Sequence, residues 1–292
     1  MKIGAFQIDE PMPDLNKPHA FAILRPWINV GSVGSLTLST LSHRFKAQPL
    51  GRLARPGNFI DFTRYRPVVR IEDSERSIAI PNSYIDFAKQ TKGNDLLFLH
   101  LLEPHMFGET YVESVLKVLK AFNVERYCLM GSMHDVVPHT KPLIVSGTAN
   151  DKLSEQLYKL GVNPSSYEGP GTIATLIAQE APKFNIEIMS LIVHIPQYAQ
   201  LDEDHAGQLR LLEILCSLYD FQIDLESIRR TAEKQYENLS KEMYKEPQFE
   251  QAITHLEELY EARVGKADDE KTHLPPDIEK FLHEIDKDFQ QN

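Results

Sequence analysis

The chain has 292 residues, long enough to bury a full core, and one large domain with an appendage is the natural division. It is 42% hydrophobic and 25% charged, as soluble globular proteins are, and its net charge of −11 argues against nonspecific binding to nucleic acid or an anionic membrane. Two cysteines in apolar surroundings, a start with one lysine and no long apolar stretch, and no run near the roughly 20 residues of a membrane span lead to the expectation of a cytoplasmic protein without a signal peptide.

Residues 1–19 carry Pro11, Pro13 and Pro18 and read as an irregular lead-in, with a short edge strand at 3–8. A buried strand at 21–24 continues towards Trp27 and Val30. The segment Gly31-Ser32-Val33-Gly34-Ser35 turns the chain into a helix, on which Leu36, Leu41 and Phe45 recur near a period of 3.6. A strand at 50–53 ends in the turn Arg55-Pro56-Gly57. Runs at 66–71 and 76–80 flank a short acidic loop and predict a hairpin, hence a mixed sheet. Residues 95–102 form a continuous apolar strand, and 109–122 an amphipathic helix.

The most chemically loaded stretch follows. A strand at 127–130 leads into a polar turn at 131–135, then Pro138-His139-Thr140-Lys141-Pro142 and a second apolar run at 143–145. Residues 151–160 read as a helix stopped by Gly161. A second glycine-rich turn, 167–172, opens a helix at 173–181. A strand at 187–195 and a helix at 206–219 complete this part. Strands alternating with helices predict an α/β fold with a mixed, mostly parallel sheet.

Composition changes after Asp224. Residues 226–292 hold seventeen acidic and ten basic side chains, a net of −7. That leaves 25 of the 42 acids and 21 of the 31 bases, a net of −4, on the rest. The expected division is a core domain of residues 1–224 and a helical extension of 225–292. The extension reads as an antiparallel helix pair jointed at Glu246-Pro247, a loop at 266–273, and a last helix from Pro275-Pro276.

Three loops carry the candidate chemistry. Gly31, Ser32, Gly34 and Ser35 sit where a strand meets a helix, and amides at such a start can hold an anion. The two glycines serve equally to permit a tight turn. No Walker loop or dinucleotide fingerprint is present. In the second loop Ser132, His134 and His139 are the catalytic candidates if the protein is an enzyme, with Asp135 orienting a histidine and His139 as base. His139 and Thr140 are also ligand candidates. The alternative is a polar loop whose path Pro138 and Pro142 fix. The third loop offers the amides around Gly169. His100-x-x-Glu103-x-His105 is broken by Pro104 and reads as the polar exit of a strand. No spacing makes a metal cage, and neither metal nor cofactor is expected.

These motifs also carry a resemblance. Gly31-x-x-Gly34-Ser35, Val137-Pro138-His139-Thr140-Lys141-Pro142, Ser146-Gly147-Thr148-Ala149-Asn150, Tyr167-x-Gly169-Pro170 and the segment ending His194-Ile195-Pro196-Gln197-Tyr198 resemble, in order and spacing, the proteasome assembly chaperone family, in particular its bacterial and archaeal members. The resemblance covers roughly residues 20–220. It implies a three-layer α/β/α domain like that of nucleoside phosphorylases, homo-oligomers, and a role in assembling other proteins. Archaeal relatives that dock on the proteasome can end in a hydrophobic–tyrosine–any triplet. This chain ends Gln290-Gln291-Asn292, so docking by that device is not expected. The expected function is chaperone-like protein–protein interaction and self-association. The alternative is a phosphorylase- or hydrolase-like enzyme, or a small-molecule sensor, using the crevice at the strand ends.

Overall fold

The computed structural model describes residues 1–72, 75–245 and 247–265. The expected loop at 266–273 and the last helix from Pro275 lie outside them. Twelve strands and seven α-helices are described, in the order β1 (Lys2–Ile3), β2 (Phe6–Ile8), β3 (His19–Arg25), α1 (Val33–Arg44), β4 (Gln48–Leu53), β5 (Val68–Glu72), β6 (Glu75–Ala79), β7 (Tyr84–Ala88), β8 (Leu96–Leu102), α2 (Gly108–Ala121), β9 (Arg126–Asp135), β10 (Val145–Gly147), α3 (Asp151–Lys159), β11 (Val162–Pro164), α4 (Ile173–Glu180), β12 (Glu187–Pro196), α5 (His205–Tyr219), α6 (Glu226–Met243) and α7 (Pro247–Gly265).

Ten strands form one sheet, β1-β2-β4-β7-β8-β3-β9-β12-β10-β11. Its middle, β8-β3-β9-β12, is parallel. The flanks are antiparallel, apart from β10 with β11. The sheet is mixed, as the sequence pattern predicts, but the balance is corrected: five of the nine pairings are antiparallel. Of the two strands that the pattern does not show, β7 accounts for much of that difference, with two antiparallel pairings, while β11 adds a parallel one.

The central strands are buried because both faces are covered. Every residue of β8 is buried, His100 included, as a strand covered on both faces requires. One face packs on α2 and α4 through Tyr111, Val115, Leu119, Ile173 and Ile177. The other packs on α1, α3 and α5 through Leu38, Leu41, Leu153, Leu211 and Leu215. This is the three-layer α/β/α arrangement. The helix that follows β3 and the helix that follows β8 lie on opposite faces, although β3 and β8 are adjacent and parallel.

Three local expectations change. The strand through residues 21–24 stops at Arg25 instead of continuing to Val30. The polar stretch 131–135 is not a turn; it extends β9, paired residue by residue with β12 up to Asp135 and Pro196. The 66–80 hairpin forms, but as a separate two-stranded sheet, β5 with β6, outside the main one. Beyond the core, α6 packs on α5 through Ile228 and Tyr236. Ile253 and Leu256 of α7 join Met243 and Tyr198 in a small cluster of their own.

Candidate functional site

The first two predicted loops meet at the edge formed by the carboxyl ends of β3, β9 and β12. Segment 28–34 lies on β9. A Cβ on Gly131 would stand 2.2 Å from the Ile28 carbonyl oxygen, so only glycine permits this approach. The backbone turns into α1 through Gly31 and Ser32, both left-handed, at φ +54° and +52°. Ser132 is fully buried, and its hydroxyl donates to the Val30 carbonyl at 2.6 Å. The Ser35 amide, one of the candidate anion donors, already donates to Asn29 Oδ1 at 2.9 Å. Gly34 brings α1 against Met130.

His139 joins the same edge through the extension. The Gly31 carbonyl accepts from the Asp204 amide at 2.7 Å, and Asp204 Oδ2 accepts from the Tyr236 hydroxyl at 2.9 Å. The ring of Tyr236 lies 6.1 Å from that of His139. His139 is buried. Its Nδ1 is 2.7 Å from the Tyr198 hydroxyl and its Nε2 is 2.8 Å from the Ser240 hydroxyl. The backbone N–H of His139 donates to the same Tyr198 oxygen, and Ser240 donates to the Tyr236 carbonyl. A neutral ring with its proton on Nε2 satisfies all four bonds, with Tyr198 donating to Nδ1. Burial lowers the His139 pKa, which keeps it neutral.

The rest of this loop is held by α7. Thr140 Oγ1 donates to Glu257, Lys141 pairs with Glu261 at 2.7 Å, and the Tyr260 hydroxyl donates to the Pro142 carbonyl. His134 is exposed on β9, opposite Ile195. The third loop lies at the same edge but over the opposite face. Glu103, just past β8, accepts from the Ile173 amide at 3.1 Å and caps α4. Gly169 contacts its own turn, where Tyr167 donates to the Pro170 carbonyl. His100, Glu103 and His105 diverge: His105 Nδ1 accepts from the Asp61 amide. Among the described residues no group of three or more His, Cys, Asp or Glu is placed to hold a metal ion.

Motif spacing does not reveal a relay across three adjacent strands. His194 Nδ1 is 2.6 Å from Asp135 Oδ2, and His194 Nε2 is 2.8 Å from the Ser146 hydroxyl. Arg263 of α7 donates to the same carboxylate oxygen at 2.7 Å. Burial works to raise the Asp135 pKa, but the bonds from His194 and Arg263 outweigh it and hold the carboxyl well below its usual range. The sequence signal is weak, because β9 and β12 carry other polar residues, Ser132 and His134 on the one and Ser190 on the other.

A family profile, that of the PAC2 family, matches residues 23–243. No curated protein matches the chain. Among solved structures, a Corynebacterium glutamicum protein of unknown function superposes with a TM-score of 0.78 at 20% identity, covering 90% of this chain and 99% of that one. A PAC2 family protein from Streptomyces avermitilis gives 0.70 at 23% identity, over 77% and 95%. A proteasome-assembly chaperone homologue from Mycobacterium tuberculosis gives 0.71 at 21% identity, over 80% and 99%. The fold is therefore shared along nearly the whole length of each neighbour, and the profile covers most of this chain: it belongs to the PAC2 family.

Proposed function

We propose that the protein works by protein–protein contact, as a self-associating, chaperone-like member of its family, with the β5–β6 hairpin as its contact surface. One observation carries this reading. The hairpin stands outside the main sheet, and its register puts Val69, Ile71 and Ile78 on one face, at 48%, 76% and 61% exposure. A lone two-stranded hairpin is marginal in water, and exposed apolar faces of this kind mark association sites.

The occupant is a second copy of the chain. Residues 66–80 balance Arg66, Arg70 and Arg76 against Glu72, Asp73 and Glu75, on a chain whose net charge is −11. Two copies therefore meet here without the repulsion that acidic surface imposes elsewhere. A two-fold contact lays the same apolar face against itself. The likeness to the Mycobacterium tuberculosis chaperone homologue supports a role towards other proteins as well. Two free cysteines, one of them buried, support a reducing, cytoplasmic setting. The test is the mass in light scattering of a variant carrying Ile71→Asp and Ile78→Asp. A folded monomer is expected where the parent protein is oligomeric. An unchanged oligomer would reject the hairpin as the contact.

A second reading, hydrolase-like catalysis, is favoured by the Ser146–His194–Asp135 relay, whose order of contacts is that of an activated serine. Ser146, however, lies within β10 and is paired on both sides, without the strand-to-helix elbow that exposes a nucleophile. The relay fits better as a fastening of β9, β12 and β10 to α7. Loss of ester or amide turnover in a folded Ser146→Ala variant would promote the catalytic reading.

A further inference from the structure

The crevice between the carboxyl ends of β3 and β8 is a place where α/β folds bind ligands, because α1 and α2 leave these neighbouring strands on opposite faces of the sheet. Here it opens into a cleft of about 300 Å³ under α1. Its floor is polar, whereas the same face further along the strands carries Phe21, Phe98 and Leu96. Arg25 closes β3, and His100 lies near the end of β8. Tyr84 and Asp86 come from β7, with Tyr84 directly opposite His100 and their rings stacked at 4.2 Å. The roof is a stripe of α1, Ser35, Ser39 and Ser42, spaced to share one side of a helix.

Three side chains here hold buried polar atoms without a hydrogen-bond partner: Arg25 Nε, Ser42 Oγ and His100 Nε2. His100 is only 9% exposed. Its Nε2 lies 3.6 Å from Asp86 Oδ2, beyond hydrogen-bond reach. Buried polar groups are ordinarily paired, and leaving one unpaired costs about 1–3 kcal/mol. Three in one cleft mark a place shaped for something other than the chain itself.

The register fixes the charge pattern of that space. Arg25 pairs with Leu102, and Asp86 pairs with Phe98, so the cation and the acid flank His100 from opposite sides. We propose that this cleft binds a small zwitterion of amino-acid size, with its carboxylate on Arg25, its ammonium group on Asp86, and His100 and the serine stripe hydrogen-bonding between them. The proposal is independent of self-association through the hairpin.

The test uses the full chain and calorimetric titration with the common amino acids. Matched probes lacking either the amino group or the carboxylate form the control arms. At least one amino acid is expected to bind with Kd of about 1 mM or tighter, and both control arms to bind at least about tenfold more weakly. Arg25→Gln should weaken binding by about tenfold or more while leaving the melting temperature unchanged or higher, since it breaks no ion pair among the described residues. Ser42→Val, which fills the roof, should also abolish binding and serves if Arg25→Gln does not fold. No binding by any amino acid would overturn the proposal and leave ordered water as the occupant. Equal binding by the control arms, or full binding by the folded variants, would overturn it too.

Discussion

The Nε2 of His139 lies 2.8 Å from the hydroxyl of Ser240, a residue 101 positions further along the chain. This bond joins the most chemically loaded loop of the sequence to α6. With the bonds from Glu257, Tyr260 and Glu261, it makes residues 139–142 the seat of α6 and α7. A histidine that reads as a candidate base thus has both ring nitrogens engaged in holding the fold.

His139→Ala removes the Tyr198 and Ser240 partners together and leaves a buried gap. The expected cost is about 2–3 kcal/mol of stability, read from urea unfolding, with faster amide exchange in α6. Unchanged stability would show that the latch carries no load.

Asp135 receives both His194 and Arg263, but the Arg263 side chain is 42% exposed. Asp135→Ala strands the buried His194 and should cost about 2 kcal/mol or more. Arg263→Ala should cost under about 1 kcal/mol, as exposed pairs do. Equal costs in thermal unfolding would contradict this ordering.

At Gly131 a methyl group would strike the Ile28 carbonyl oxygen. Gly131→Ala should destabilise the protein by about 1–3 kcal/mol, measured by chemical unfolding. Gly93 is left-handed at φ +83° but has open space around its Cβ position. Gly93→Ala should therefore show only the smaller cost of its backbone angle, about 1 kcal/mol.

Burial, with Arg25 adding to it, lowers the His100 pKa from 6.5 to about 4. The unfolded chain then takes up this proton first as pH falls. The stability from keeping His100 neutral is full above 6.5 and is lost as pH drops towards about 4. Burial raises Asp86 from 3.8 to about 6, which acts in the opposite sense: the fold gains as pH falls from about 6 towards 3.8. His100→Gln should flatten the loss between pH 6.5 and about 4 by an amount on the order of 1–3 kcal/mol. An NMR titration showing His100 half-protonated at pH 6.5 would contradict this.

The long elements were legible because their patterns are unambiguous: the apolar run of β8, interrupted only at His100, the one-sided helix α2, and Gly161 closing α3 with φ +75°. β7 was not, because Tyr84 and Asp86 interrupt it on the face that lines a polar cleft. The last five residues of β9 resembled a turn for a similar reason. Gly131 is there for a close approach, Ser132 fastens the segment before α1, and Asp135 meets α7. Each is polar or small because of a partner far away in sequence. The same distance hid the Ser146–His194–Asp135 relay, whose members come from three strands. The loops around Gly31 and His139 lie at one edge because the strands before them, β3 and β9, run parallel. What could not be read was that Asn29 already occupies the Ser35 amide, and Tyr198 and Ser240 the two ring nitrogens of His139.

Hydrogen exchange of the hairpin amides as a function of protein concentration tests self-association most directly. If a second copy covers Val69, Ile71 and Ile78, the amides of β5 and β6 are protected at high concentration. They lose that protection on dilution, while those of β8 stay protected throughout. Hairpin amides that exchange at the same rate at every concentration, in a protein whose β8 remains protected, would contradict the account.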